Sequence, residues 1–370
     1  MNNQNTICNP ESVITSSSHL QFEEGFTFDD VLLIPQYSDI EHRSEVTLNT
    51  KILPNLNLDL PYVSANMDTV TDHRMAFTMA SHGACGILHR YLTIDEMIDE
   101  IKSYRKLFVE NSIPEQPMIV SIGVHDLERV AAAYDLGIKN FCIDVAHGHH
   151  ALVKKKIKEL RDKFGSDIGI IAGNVASYQG AFDLFTWGAD CIKVGIGPGS
   201  VCTTRIKTGS GYPQLSALVW ASKAKKDFLA LNPGKEVFII ADGGIKVYGD
   251  ITKSLAAGAD AVMMGSIFSG CKETPGTVWR NENEEMTKSY RGMASAPAQS
   301  DFGIENINEE GVAVTVKYKG SVRHIISRMS KGVRSGLSYS GARNISELQQ
   351  KAKFVKVSYS SYLEGKAHKV

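Results

Sequence analysis

Long hydrophobic runs are missing from this chain. No stretch of about 18 apolar residues exists to span a bilayer, so a membrane is not expected as a partner. Cysteine is scarce. Six are scattered over 370 residues (Cys8, Cys85, Cys142, Cys191, Cys202, Cys271), with no C-x-x-C pair. That excludes a disulfide framework and the usual structural zinc spacing, and it points to a reducing, cytoplasmic setting. An excess of one charge is also missing. The 40 basic and 41 acidic residues nearly cancel and form no basic patch, which argues against nucleic acid as a partner. Residues 1–20 lack the basic start and apolar core of a secretory signal, and their polar composition reads as disordered.

Apolar residues make up 43% of the chain, enough for a large core, and the length suits a barrel with extensions. Short apolar runs read as strands: Tyr62–Ala65, Gly86–His89, Met118–Ile122, Phe141–Val145, Gly169–Ala172, Cys191–Gly195, Val237–Ala241 and Ala261–Gly265. Helical periods lie between them at Asp95–Leu107, Leu127–Leu136, Leu152–Phe164, Gln179–Trp187, Ser216–Leu229 and Asp250–Ala257. Gly137, Gly188 and Gly258 sit where helix C-terminal caps are expected. Eight strands in series predict an α/β fold, a parallel (β/α)8 barrel over residues 21–370. An open doubly wound sheet is the alternative. Too few residues (Asp95 to Gln116) separate the second and third strands for an inserted domain. The apolar lead-in Phe26–Pro35 is expected to cover the bottom of the barrel. Residues 277–318, charged and irregular, are expected to form a loop over the top.

Polar and glycine-rich residues follow the strands rather than precede them. In a barrel they converge on the C-terminal face, where active sites lie. The richest segment is Lys193 to Arg205, an apolar strand running into a loop that presents one cysteine, Cys202. Gly195, Gly197 and Gly199 permit sharp turns and close approach to a ligand. Ser200, Thr203 and Thr204 surround the thiol with hydroxyls. That is the setting of a nucleophile rather than of a core cysteine, and Thr204 could orient a water or a leaving group. Asp242-Gly243-Gly244 and Met264-Gly265-Ser266 follow the last two strands and would offer backbone N–H groups to a phosphate, with Asp242 accepting from ribose hydroxyls. Ordinary strand-end turns are the competing reading. Asp144 is followed by His147, His149 and His150. Without a second cluster at ligand spacing, Asp144 reads as a polar site residue and the histidines as loop and helix-start residues, not as a metal site. Arg90 offers a fixed positive charge over the site or a surface salt bridge.

Together these residues resemble the inosine-monophosphate dehydrogenase and guanosine-monophosphate reductase family, from Phe26-Thr27-Phe28-Asp29-Asp30-Val31 to Gly332-Val333-Arg334-Ser335-Gly336. The cysteine loop Gly197–Arg205 and Tyr290-Arg291-Gly292-Met293 are specific to it. The resemblance implies that Cys202 attacks C2 of a purine nucleotide, forming a thioimidate that exchanges hydride with a nicotinamide dinucleotide. It implies catalytic roles for Cys202, Thr204, Asp144 and Arg90. It implies nucleotide contacts at Ser200, Asp242, Gly243, Gly244, Gly265, Ser266, Tyr290, Arg291, Gly292, Met293 and Ser295. Dinucleotide contacts fall on Asp144, Ala146, His147 and Asn174. A potassium ion on the carbonyls of Gly197, Gly199 and Cys202 and a homotetramer are also implied.

Within the family the chain is more similar to the reductase branch, which converts GMP and NADPH (or NADH) to IMP and ammonia. Most dehydrogenases insert a regulatory domain after strand two and carry an Arg-Tyr pair in a long flap. Here there is no insertion, and the 22 residues from Ala296 to Lys317 contain no such pair. Lys207–Ala217, Ser64–Asp68 and Ile143–Gly148 are reductase-like. The departures are Ala296, where the resemblance leads one to expect the glutamate that protonates ammonia, Arg90 in place of the family lysine, and Tyr290-Arg291-Gly292-Met293, which is more similar to the dehydrogenases. Asp301 and Glu305 are the candidates to replace the glutamate. A dehydrogenase converting IMP, NAD and water to XMP is the alternative, and a nucleotide-binding regulator without turnover is the third reading.

Overall fold

The computed structural model describes residues 14–15, 21–305 and 307–365. Apart from the two-residue strand Ile14–Thr15, paired with Gln21–Phe22, the expectation of disorder for residues 1–20 lies outside the described residues. Eight parallel strands close into a barrel: β1 Tyr62–Ser64, β2 Cys85–Leu88, β3 Ile119–Ile122, β4 Asn140–Asp144, β5 Gly169–Val175, β6 Cys191–Val194, β7 Phe238–Asp242 and β8 Ala261–Met264. β8 pairs with β1, Val262 opposite Tyr62, which excludes the open sheet. Each strand lies within a few residues of its expected place. The helices around them are α1 His73–Ala80, α2 Ile94–Glu110, α3 Leu127–Asp135, α4 Ala151–Phe164, α5 Tyr178–Trp187, α6 Gln214–Leu231, α7 Tyr248–Ala256 and α8 Val322–Tyr339. Among the described residues, no helix is long and apolar enough to cross a membrane.

Local chemistry explains where these helices start and stop. Thr93 and Glu96 form a reciprocal capping box at the start of α2, and Met97, Ile101, Tyr104 and Phe108 bury one stripe of it. α5 ends at Gly188 with φ of 110°, a conformation that favours glycine. Two helices were not expected. α1 is a single short segment of contiguous buried residues, Met75 to Met79, with no helical alternation to read. α8 is amphipathic, but residues 265–321 separate it from the strand it completes.

Strand side chains alternate between two cores. Outward residues such as Ile143, Ile192 and Ile239 pack under the helices. Inward residues fill the barrel, among them Val63, Ile87, Ile119, Cys142, Ile171, Cys191, Ile240 and Met263. The bottom of this inner core is closed by a hairpin of Thr50–Leu53 and Leu56–Leu58, whose Ile52, Leu53, Leu56 and Leu58 join it. The lead-in expected there runs along the flank instead. Phe26 N donates to Ser216 Oγ on α6 (2.8 Å), Lys253 Nζ on α7 donates to the Phe28 carbonyl (2.8 Å), and Val31–Leu33 pairs with Phe354–Lys356. Both segments are apolar, and only the hairpin has the turn that fits the barrel end.

The described residues of 277–318 do lie over the top, with more order than expected. Trp279–Arg280, Met286–Arg291 and Ala313–Lys317 form an antiparallel sheet, and Ala296–Asp301 is a short helix. Bridges of Gly311 to Cys202 and Ser295 tie this cover to the cysteine loop.

Ile52 is fully buried at the barrel bottom, far from the top face. Ile52→Ala is expected to destabilise the fold by about 2–5 kcal/mol. Chemical denaturation would read the loss, with ligand binding at the top unchanged.

Candidate active site

The inward alternation continues past the hydrocarbon core into a charged layer. Two residues beyond Cys142 is Asp144, two beyond Cys191 is Lys193, and two beyond Ile240 is Asp242. Lys193 Nζ donates to Asp144 Oδ1 and Asp242 Oδ2, both at 2.9 Å. Burial opposes its charge, but the two carboxylates more than offset that and hold its pKa well above the ordinary lysine value. Burial likewise works against the Asp144 carboxylate, yet Lys193, with Arg90 and Asn66, keeps its pKa below the usual range. Asn174 Nδ2 donates to Asp242 Oδ2 (2.9 Å) and to the Gly195 carbonyl (2.8 Å).

Above this layer opens a cavity of about 590 Å³. Its walls bring together Asp144, Ala146, Asn174, Gly197, Gly199, Ser200, Cys202, Thr204, Asp242, Gly243, Gly244, Gly265, Ser266, Tyr290, Gly292 and Met293. Gly243 and Gly244 have φ of 85° and 81°, turning their peptides at the end of β7. A Cβ on Gly265 would meet the Tyr290 hydroxyl at 2.8 Å, so this turn is held close against the cover. Ser200 Oγ lies 3.4 Å from the same hydroxyl, and burial raises the Tyr290 pKa.

The thiol is half-buried on one wall. Cys202 Sγ donates to Thr204 Oγ1 at 3.2 Å, and Thr204 Oγ1 donates to Glu310 Oε2 at 2.8 Å. Asn308 Nδ2 steadies the other carboxylate oxygen at 3.0 Å. Backbone bonds fix Glu310 in place: Thr203 N donates to its carbonyl (2.9 Å), and its N–H donates to Ala294 O (3.0 Å). The carboxylate beside the Cys-Thr pair is therefore neither at position 296 nor at either expected replacement. Asp301 is exposed and holds Arg291, and Glu305 is exposed.

Four expected residues are not on these walls. Arg291 is pinned by Asp68 (Nε 2.8 Å, Nη2 2.5 Å) and Asp301 (Nη1 2.6 Å), so it anchors the cover to the barrel. Ser295 is fully buried and caps the helix Ala296–Asp301. His147 is exposed, and Arg90 packs over the Tyr91 ring at 5.2 Å. The other two histidines have local duties, as expected. His149 pairs with Asp183 (2.8 Å), and the His150 ring accepts the Leu152 N–H at the start of α4. No group of three metal-ligating side chains occurs among the described residues.

The family model described as "IMP dehydrogenase / GMP reductase domain" matches residues 25–368. The inosine-5'-monophosphate dehydrogenase of Nitrosopumilus maritimus (strain SCM1) is 33% identical over 482 aligned positions, covering 95% of this chain and 99% of the relative. That of Borreliella burgdorferi is 35% identical over 405 positions, covering 94% and 98%. That of Cryptosporidium parvum is 35% identical over 393 positions, covering 94% and 96%. With a closed eight-stranded barrel, a cysteine loop at its top face and a family match along nearly its whole length, the chain belongs to the IMP dehydrogenase / GMP reductase family.

Proposed function

We propose that this chain carries out redox chemistry at C2 of a purine 5'-monophosphate, coupled to a nicotinamide dinucleotide, through a covalent bond to Cys202. The observation that supports it is the hydrogen-bonded line Cys202–Thr204–Glu310 facing glycine turns and Asp242 across one cavity. The turns after β7 and β8 suit a phosphate, and Asp242 suits ribose hydroxyls. The Asp144 side of the cavity fits the dinucleotide: Asn174 Oδ1 is buried there without a partner and suits a carboxamide N–H. When bound, the dinucleotide accepts or supplies the hydride. The chain's own residues move the proton. As Cys202 Sγ bonds to C2, its proton passes through Thr204 Oγ1 to the Glu310 carboxylate.

The same relay serves either direction. Oxidation takes IMP, NAD and water to XMP: Glu310 first releases the thiol proton to solvent, then acts through Thr204 to draw a proton from the water that hydrolyses the thioimidate and returns it to the departing Cys202 sulfur. The relatives named above support this direction. Two of them align over only 405 and 393 positions, against 482 for the first, so they carry far less insertion than it does, and the lack of an inserted domain here does not count against this direction. Reduction takes GMP to IMP. Cys202 displaces ammonia, which receives its proton from Glu310 through Thr204; once the dinucleotide (NADPH or NADH) has supplied the hydride, the sulfur leaves C2 as thiolate and a proton from solvent restores the thiol. One observation supports this second reading: residues 292–316 contain no Lys, Arg, His or Tyr, so the part of the cover that follows Arg291 holds no Arg-Tyr pair to activate water. Glu310 supplies a carboxylate beside Thr204 that Ala296 does not, which also supports this reading. A potassium ion on the carbonyls of Gly197, Gly199 and Cys202 belongs to either reading. The Gly199 carbonyl already accepts the Cys202 N–H (3.1 Å), leaving its second lone pair for the ion. A cytoplasmic homotetramer completes the proposal.

Nicotinamide absorbance tests it. A rise with IMP and NAD, alongside XMP, carries the dehydrogenase direction. A fall with GMP and NADPH, alongside ammonia, carries the reductase direction. No change under either pairing overturns both. Glu310→Gln is expected to lower turnover by about 10²–10⁴-fold with mononucleotide affinity kept, read by steady-state kinetics and calorimetry. Cys202→Ala is expected to bind nucleotide without turning over, and full activity in that variant would sink the covalent route.

A further inference from the structure

Lys193 performs no step in the chemistry above, yet its position is unusual. Its side chain is 3% exposed, and its ammonium bridges two carboxylates from opposite halves of the cavity. Asp242, on β7, stands with the glycine turns. Asp144, on β4, stands with Ala146 and Asn174. β5 lies between β4 and β6, and its residue in register with both Asp144 and Lys193 is Gly173. A Cβ on Gly173 would sit 2.6 Å from the Lys193 Cβ. The missing side chain leaves room for the lysine to pass β5 and reach Asp144. Asn174, the next residue, donates to the Asp242 oxygen that Lys193 also holds.

We propose that Lys193 is a positioning residue that lets Asp144 and Asp242 carry charge side by side, joining the purine and dinucleotide halves of the site into one electrostatic unit. The inference rests on the proposed function, in which Asp242 holds the ribose. Two carboxylate oxygens on one ammonium lie within about 6 Å of each other, where like charges in a buried setting repel strongly. Without the lysine the pair keeps its repulsion and loses its compensation. Asp242 then turns from its place or takes a proton, and in either case it becomes a poorer acceptor for ribose hydroxyls. Removing the charge of Asp144 as well relieves the conflict. A lysine that merely fills space would give no such relief.

The test is a charge cycle read by calorimetry with IMP and GMP as probes. Lys193→Met, which keeps the length of the side chain, is expected to weaken mononucleotide binding by about tenfold or more. The double variant Lys193→Met with Asp144→Asn is expected to return to within about threefold of Asp144→Asn alone. Wild-type affinity in Lys193→Met overturns the proposal, as does a double variant that binds no better than Lys193→Met. Thermal melts accompany each titration. If Lys193→Met does not fold, a folded, binding double variant supports the proposal, and an unfolded one shows a packing role and overturns it. If the wild-type chain binds neither nucleotide, the proposed function itself has failed, an outcome distinct from failure of the charge cycle.

Discussion

The two-residue alternation of the barrel strands governs everything at the top face. Below, it directs isoleucine, valine, methionine and cysteine inward onto the hairpin plug. One step higher, the same alternation directs Asp144, Lys193 and Asp242 inward, where hydrocarbon gives way to charge. An ammonium at that depth needs compensating carboxylates, and the register of β4, β6 and β7 supplies two of them. A slip of one residue in any of these strands would turn its charge out under the helices and break the layer. The register that closes the barrel therefore also sets this charged layer.

The second half of the site comes from a distant part of the chain. Glu310 reaches Thr204 across 106 residues of sequence, held by backbone bonds on both sides: its carbonyl accepts the Thr203 N–H, its own N–H donates to Ala294 O, and the Val312 N–H donates to Val201 O. Arg291 supports this from the side. Its guanidinium joins Asp68 after β1 to Asp301 in the cover, and the Arg291 N–H donates to Thr69 Oγ1 at 3.1 Å. A residue expected on the nucleotide thus acts as a fastener.

The barrel was legible in the sequence because each strand is a short apolar run ending in glycine or a polar residue, a pattern set by local physics. The cysteine loop was legible for the same reason. Its glycines, proline and hydroxyls lie within one continuous segment. Glu310 was not. It is one of two adjacent glutamates in a charged stretch without period, and nothing local separates it from Glu305 or Glu309. The nearest signal was Gly311, whose lack of a side chain admits the chain beside Cys202, where a Cβ would lie 3.2 Å from Val201 O. The bottom plug was misplaced because both candidate segments are apolar, although Pro54-Asn55 marks a turn that the lead-in lacks. In the sequence Lys193 simply opens the segment that carries the thiol, and only the register across β5 shows that its ammonium meets two carboxylates.

Placing Glu310 on the cover and Cys202 on the barrel divides the hydrogen-bonded line between two segments far apart in the sequence. The Cys202–Thr204 contact is local to one loop, whereas the Thr204–Glu310 contact exists only because residues 308–311 lie against that loop. An insertion or deletion between residues 292 and 310 would therefore remove the carboxylate and leave the thiol loop itself intact.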